Sequence, residues 1–188
     1  AGGCTGTNCN TFLNDIIYCQ ILSDGSINTC TQQTAAFTTI RALHSSVVYN
    51  GYFYIVGGCT GTSCGTVLND VQRCPIKTNG SVGACLSQSG VFTNARSNHT
   101  SVAYNGFLYI IGGYDVGGIV LNDIIHCAIN SDGSIGTCTQ QTAAFTTARD
   151  SHASVVYNGY IYVIGGFDES TTSYDDVQHI RVATPSQS

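Results

Sequence analysis

The sequence has no methionine, no tryptophan, one lysine and only 9% charged residues. With so few basic side chains and a formal net charge of -5, it is a poor match for nucleic acid or for an anionic membrane surface. No stretch approaches the roughly 20 apolar residues that a membrane-spanning helix needs, so we expect no membrane insertion. A signal peptide is also lacking, so a secreted protein of this sequence would be a mature or trimmed chain.

Cysteine, by contrast, is abundant, and its ten copies stand at repeating positions. Six of them flank three Asp-Gly or Asn-Gly pairs, symmetrically about each pair. Because these dipeptides accept the positive φ angles of a tight hairpin turn, cysteines equidistant from the turn face each other across two strands. Directly opposed residues have Cα atoms roughly 4.5 to 5.5 Å apart, which suits a disulfide. The predicted hairpin disulfides are Cys19 with Cys30, Cys74 with Cys85, and Cys127 with Cys138.

The other four cysteines form two versions of one loop, which predicts disulfides between Cys4 and Cys9 and between Cys59 and Cys64. In the later repeats the first loop cysteine is replaced by an aromatic residue, and its partner is lost with it. Structural zinc sites need four ligands, usually from tighter Cys or Cys/His sets. Loss in pairs therefore favours disulfides, and we expect no metal. Five disulfides predict a secreted, extracellular protein.

The chain is an internal repeat, aligned on Tyr-Asn-Gly segments that begin at Tyr49, Tyr104 and Tyr157. Each segment is preceded by an Arg-x-x-His pair and followed by a glycine pair and an aspartate. We predict one repeat domain over residues 1–188, with units 1–40 (partial), 41–95, 96–148 and 149–188 (partial). The repeated pairs are Arg41 and His44, Arg96 and His99, and Arg149 and His152.

Each complete unit reads as four short strands, and no amphipathic helix period of useful length occurs. Antiparallel four-stranded units that recur at a fixed period and cannot cover their own faces are typical of propeller blades. We therefore predict an all-β protein of about three and a quarter blades, fewer than the four to eight of a closed propeller. One copy alone should form a partial propeller, or one that another chain completes.

The pattern resembles the kelch repeat family over essentially the whole chain. The residues that carry the resemblance are Arg96-Ser-Asn-His99, the apolar strand with its glycine pair Tyr109-Ile-Ile-Gly-Gly113, and Asp123. The resemblance implies a β-propeller with the first strand of each blade near the axis. Kelch repeats usually carry an aromatic on the fourth strand, where this chain has the second cysteine of each hairpin. Propellers host binding, catalysis and scaffolding alike, so the resemblance implies little about activity.

The notable polar residues recur from unit to unit, which favours a structural role over a catalytic or metal-binding one. A catalytic or copper site is needed once, whereas an architectural contact is needed in every blade. We expect no catalytic, cofactor-binding or metal-binding residues, and we expect the Arg-x-x-His residues to be buried and bonded to backbone or to aspartates between blades. Those aspartates are Asp15, Asp70, Asp123 and Asp176.

Further candidates lie in the loops. Asp115, Asp168 and Glu169 follow the glycine pairs of the shorter loops and could meet a cation or a sugar, although no Asp-x-Asp-x-Asp-Gly series accompanies them. Asn79 and Asn98 begin Asn-x-Ser/Thr triplets and are candidate N-glycosylation sites. Asn79 stands on an exposed turn tip, whereas we expect Asn98 to be buried.

The favoured interpretation is a secreted, non-catalytic structural or adhesive protein that assembles through its blades. Its partner would be another copy or a missing part of the same polypeptide, with glycans as a further ligand. One alternative is the C-terminal part of a secreted carbohydrate-binding propeller, and another is a secreted enzyme of the kelch oxidase or sialic acid mutarotase type. Thr184–Ser188 reads as a native C-terminus, because Ile180 replaces a hairpin cysteine whose partner strand is absent.

Overall fold

The computed structural model describes residues 1–6, 9–170 and 172–182, so the expected C-terminus at Thr184–Ser188 lies outside the described residues. These ranges contain eighteen strands, one 3₁₀ turn at Thr62–Cys64 and no α-helix. No helix within them has the length and hydrophobicity needed to cross a bilayer. The strands are β1 (Gly3–Thr5), β2 (Thr11–Leu13), β3 (Ile16–Ile21), β4 (Ile27–Gln33), β5 (Ser45–Tyr49), β6 (Tyr52–Val56), β7 (Cys59–Thr60), β8 (Thr66–Val67), β9 (Val71–Pro75), β10 (Leu86–Gln88), β11 (Arg96–Ser97), β12 (Thr100–Tyr104), β13 (Phe107–Asp115), β14 (Val120–Ile129), β15 (Ile135–Gln141), β16 (Ala153–Tyr157), β17 (Tyr160–Ile164) and β18 (Val177–Arg181).

The described residues form six antiparallel sheets, of which β1-β2 and β7-β8 are two-stranded loop pairs and the other four follow one another along the chain as blades 1 to 4. Blade 1 has only β3 and β4, blade 2 has the order β10-β9-β6-β5, blade 3 joins β12, β13, β14 and β15, and blade 4 has β16-β17-β18. The first strand of blade 3, β12, lies beside the first strands of blades 2 and 4. The predicted all-β fold is therefore confirmed, with a partial blade at each end.

The turns between first and second strands are two-residue hairpin turns. At Asn50 and Gly51 both residues have positive φ, 46° and 77°, and Tyr49 pairs directly with Tyr52. This is the type I′ geometry that Asn-Gly favours, because asparagine and glycine tolerate the left-handed region. The same turn recurs in blades 3 and 4.

The turns between third and fourth strands differ from the prediction. At Asp24-Gly25 only the glycine has a positive φ, 83°. The Gly25 N–H donates to the Leu22 carbonyl at 3.0 Å and the Leu22 N–H donates to the Ser26 carbonyl at 2.9 Å, so the loop is longer than two residues. A register shift follows the disulfide pair and absorbs the difference, as in a turn that ends in a glycine bulge.

The hydrophobic core lies between blades. Between blades 2 and 3, side chains from both sheets form one buried cluster that includes Tyr54, Val56, Leu108, Ile125 and Ile135. Similar clusters join blades 1 and 2 and blades 3 and 4. Burial of apolar area contributes roughly 25 cal/mol per Å², so each blade is stabilised by its neighbours. Among the described residues, blades 1 and 4 each have one face without a neighbouring blade.

Candidate functional site

The repeated arginines are fully buried and each forms a two-pronged ion pair. The Arg41 guanidinium donates to both carboxylate oxygens of Asp70 at 2.8 and 2.7 Å and to the Gly57 carbonyl at 2.7 Å. Arg96 does the same with Asp123. Because both partners belong to one unit, the expectation of an aspartate contact between blades is wrong. The pair instead ties the start of a blade to its glycine pair and to its third strand.

The fourth unit repeats this pair, and the first unit lacks it. Arg149 binds Asp176 at 2.7 and 3.2 Å. Asp15 is only 9% exposed and accepts a hydrogen bond from the Gln32 amide at 2.6 Å, but no arginine reaches it within the described ranges. The repeat places that arginine in an inner hairpin that residues 1–40 do not include.

The repeated histidines connect blades. The His99 Nε2 lies 2.8 Å from the Ser45 hydroxyl of the preceding blade, and His152 Nε2 lies 2.8 Å from the Thr100 hydroxyl. Burial lowers the pKa of His99 to about 3 and that of His152 to about 4, because the charged imidazolium is poorly solvated there. These rings are therefore neutral linkers. His44 is only half-buried, because the described part of blade 1 consists of β3 and β4 and has no inner strand to cover it.

A glutamine at the end of the fourth strand clamps the next blade. The Gln33 amide both donates to and accepts from the backbone of Val82, each at 3.0 Å. The Gln88 amide does the same with Ile135 at 2.9 and 2.8 Å. Our sequence analysis missed these residues, although their recurrence at one repeat position was a usable signal. The equivalent Gln141 forms no such clamp in the described part of the chain, where blade 4 has no fourth strand.

In blades 2 and 3 the turn before the fourth strand docks on the preceding blade, and we call residues 22–26, 77–81 and 130–134 the docking turns. In the turn of blade 3 the Gly133 carbonyl accepts a hydrogen bond from the Tyr54 hydroxyl at 2.9 Å, and the Asp132 carbonyl accepts one from the Arg73 guanidinium at 2.8 Å. The Tyr52 ring packs so closely on Gly133 that a Cβ there would come within 2.8 Å. Burial raises the pKa of Tyr54 to about 12, so its hydroxyl stays a donor.

We call Tyr52, Tyr54 and Arg73 the aromatic cradle of blade 2. Its equivalent in blade 4 consists of Tyr160, Tyr162 and His179, which line an open pocket of about 230 Å³. Blade 1 retains only the third-strand position of its cradle, Tyr18, which packs against Gly80 in the docking turn of blade 2.

The loops after the glycine pairs are closed in two ways. In units 1 and 2 the chain places Cys4 with Cys9 and Cys59 with Cys64, with Cα atoms 5.1 Å apart in both pairs. In unit 3 the Asp115 carboxylate accepts the N–H groups of Gly117 and Ile119 at 2.8 and 2.9 Å. An aspartate thus takes the place of a disulfide.

In unit 4 the same role belongs to Asp168. The Thr172 N–H and the Tyr174 hydroxyl donate to its carboxylate, both at 2.9 Å, and the bond from Thr172 is the main cause that lowers its pKa. Glu169 accepts the N–H of Val120 at 3.1 Å. The acidic residues considered for a cation thus organise loops, and residues 1–6, 9–170 and 172–182 contain no group of three His, Cys, Asp or Glu side chains that could hold a metal.

The hairpin cysteines also lie in the pairs that turn symmetry predicts, so no cysteine is left unpaired. Their Cα atoms are 4.2, 4.2 and 4.0 Å apart in blades 1, 2 and 3. Of the two glycosylation candidates, Asn79 is exposed on its docking turn, whereas Asn98 is half-buried. The Asn98 backbone donates to the Leu43 carbonyl and accepts from the Ser151 N–H, both at 2.9 Å, which makes it a junction residue.

The strand order, the inner first strands and the Arg-Asp pairs define an open arc of propeller blades of the kelch type. The family model described as the KLHDC2/KLHL20/DRC7 Kelch-repeats domain matches residues 1–186. The chain therefore belongs to the kelch repeat family. Kelch repeat domains generally mediate protein-protein interaction, so the family indicates an interaction propeller.

Three curated relatives are similar to parts of this chain. Ras guanine nucleotide exchange factor F of Dictyostelium discoideum is 35% identical over 81 residues, 42% of this chain and 7% of that protein. Rho GTPase-activating protein gacHH of the same organism is 29% identical over 133 residues, 68% of this chain and 8% of that protein. Kelch-like protein 15 of Homo sapiens is 27% identical over 143 residues, 65% of this chain and 22% of that protein. The chain thus spans less than a quarter of each relative.

Proposed function

We propose that this chain is a secreted, non-catalytic structural or adhesive protein that binds other protein through the open faces of its end blades. The observation that carries the proposal is the exposure of apolar side chains in blade 1. Ile17 and Ile27 are 61% and 60% exposed, whereas their equivalents in blade 3, Ile125 and Ile135, are 1% and 5% exposed. The same repeat positions are core where a neighbouring blade covers them.

An exposed face of this kind is costly in water. Ile21 is also exposed and adds to the apolar surface of blade 1. Each Å² of apolar surface left in water forfeits roughly 25 cal/mol, and contiguous apolar patches on soluble proteins mark interaction sites. The open face is therefore an adhesive surface, and a protein surface that imitates a neighbouring blade is the partner it fits.

The extracellular part of the proposal rests on the cysteines. All ten are paired, and disulfides in this number persist in oxidising compartments but are rare in the cytosol. The test is to alkylate free thiols before the source cells are opened and then to map peptides without reduction. We expect no alkylated cysteine and five links within repeats. Full alkylation of the ten cysteines would overturn a secreted role.

A second candidate is carbohydrate binding, favoured by a groove of about 660 Å³ between blades 1 and 2. Tyr18, Gln20, Asn28 and Asn79 are among the residues that line it, and a ring flanked by amides suits a neutral sugar. Binding of an oligosaccharide from a glycan panel that is lost in Asn28→Ala and kept in Leu86→Ala would support this candidate. No binding across the panel would reject it.

A further inference from the structure

The molecule carries a free docking turn at one end and a free aromatic cradle at the other. We propose that the docking turn of blade 1, residues 22–26, binds the aromatic cradle of blade 4, formed by Tyr160, Tyr162 and His179, in a second copy of this chain. This inference rests on the proposed function and specifies its partner and contact. The chain itself already makes the same contact internally, where the docking turn of blade 3 binds the cradle of blade 2.

The free docking turn matches the one that is already docked. Residues 23–39 are identical to residues 131–147 except that Asn28 stands where the later segment has Gly136. In both turns the aspartate accepts the N–H and the hydroxyl of the serine two residues later, at 2.9 and 2.6 Å. A Cβ added at Gly25, however, would meet no atom within 4 Å, whereas one added at Gly133 would meet the Tyr52 ring at 2.8 Å. The blade 1 turn therefore has the shape of a docked turn without its cradle.

The free cradle matches the occupied one. The rings of Tyr52 and Tyr54 have centroids 6.3 Å apart at an interplanar angle of 48°, and those of Tyr160 and Tyr162 are 6.5 Å apart at 43°. Tyr162 pairs across the strands with His179, as Tyr54 pairs with Arg73. The Tyr162 hydroxyl can therefore meet a glycine carbonyl as the Tyr54 hydroxyl does.

The corresponding rings of blade 3 are not an alternative receptor. Tyr109 is only 7% exposed, because it belongs to the cluster that blade 4 completes with Ile161 and Val163. Blade 4 thus offers the open cradle of this chain within the described ranges. Since turn and cradle lie at opposite ends of one arc, the contact between copies is head to tail, and it extends to a ring or a filament.

The apolar residue after the docking turn reinforces the contact. Ile135 is buried beside the blade 2 core, and Ile27 occupies the same position in blade 1 with 60% of its surface exposed. Docking on blade 4 of another copy would cover it. Ile27→Asp should therefore disrupt association while leaving the folded monomer intact.

The experiment measures the mass of the full chain by sedimentation velocity over a dilution series. We expect the native chain to associate as concentration rises, and we expect Ile27→Asp and Tyr160→Ala to weaken association about tenfold or more, since each removes apolar contact area. Val116→Asp is the matched control, because Val116 is 76% exposed and lies on neither surface. His179→Arg should tighten association by supplying the contact that Arg73 makes in blade 2.

A mixing experiment separates head-to-tail contact from other modes. Ile27→Asp keeps an intact cradle and Tyr160→Ala keeps an intact turn, so an equimolar mixture should form a dimer that does not grow further. A mixture that stays monomeric would overturn the proposal. So would a native chain that remains a 19.8 kDa monomer throughout, or association that neither variant weakens. None of these outcomes alters the thiol state, so failure here is distinguishable from failure of the secreted role.

Discussion

At the scale of single residues, the arc is organised by buried Arg-Asp pairs that recur in blades 2, 3 and 4. Arg96 has no exposed side-chain surface and Asp123 only 4%, whereas Asp176 at the end of the arc is 43% exposed. A buried ion pair adds little net stability against an apolar pair, but removal of one partner leaves a buried charge without compensation. The same pair should therefore matter more in the middle of the arc than at its open end.

The aspartates test this difference directly. Asp123→Ala should lower the free energy of unfolding by about 3 to 5 kcal/mol, because Arg96 would stay buried without its carboxylate. Asp176→Ala should lower the free energy of unfolding by less, because water reaches the Arg149-Asp176 pair. The Arg149 guanidinium also lies 4.7 Å from the Tyr174 ring centre, which gives it a second partner. Urea denaturation followed by circular dichroism measures both. Equal losses in the two variants would contradict this account of burial.

The buried histidines that connect blades predict that the stability of the fold depends on pH. The folded pKa values of His99 and His152 are about 3 and 4, and an unfolded histidine titrates near 6.5. Below 6.5 the unfolded chain binds more protons than the folded chain, so stability present above pH 6.5 is lost as pH falls towards 4. The loss should be on the order of 3 kcal/mol for each histidine.

Urea denaturation at pH values of about 7 and about 4.5 checks this expectation. Burial also lowers the pKa of His44 to about 4, so a variant with His44→Asn, His99→Asn and His152→Asn should lose much of the dependence. His179→Gln, a change at an exposed side chain, should keep it. A free energy of unfolding that is equal at the two pH values in the native chain would show that these rings do not resist protonation.

At the scale of elements, loops and turns show how far local sequence predicts structure. The Asn50-Gly51 turn follows from its dipeptide alone. The Asp24-Gly25 turn does not, because its bulge depends on pairing further along the hairpin. β10 is shorter than β4 and β15, since Pro75 has no N–H to donate to its neighbour. Local chemistry therefore sets the turn residue, whereas the ladder beside it sets the register.

The loop of unit 3 offers a test at this scale. Asp115→Ala removes the acceptor of two backbone N–H groups, so hydrogen exchange at the Gly117 and Ile119 amides should become faster and stability should fall by about 1 to 2 kcal/mol. Asp115→Asn keeps a side-chain carbonyl oxygen that can accept these bonds, so it should lose much less stability and amide protection. Unchanged exchange in the alanine variant would mean that the carboxylate does not hold the loop.

At the scale of the whole molecule, the repeat period made the blade architecture and the five cysteine pairs accessible from sequence. The recurrence of Gln33 and Gln88 at one repeat position was a signal that our sequence analysis missed, whereas their partners and the aromatic cradle were not accessible, because they depend on how one blade stacks on the next. The hydrogen bond from the Tyr54 hydroxyl to the Gly133 carbonyl, for example, joins residues 79 positions apart. Inter-blade partners of this kind are set by the geometry of the arc.

The central claim is that the open ends of the arc pack on one another as its inner blades do. Hydroxyl-radical footprinting at low and high protein concentration measures this most directly, residue by residue. Oxidation of Ile27 and Tyr160 should fall as concentration rises, towards the level of the buried Ile135, while oxidation of the exposed Val116 stays constant. Oxidation of Ile27 and Tyr160 that is independent of concentration would contradict the account.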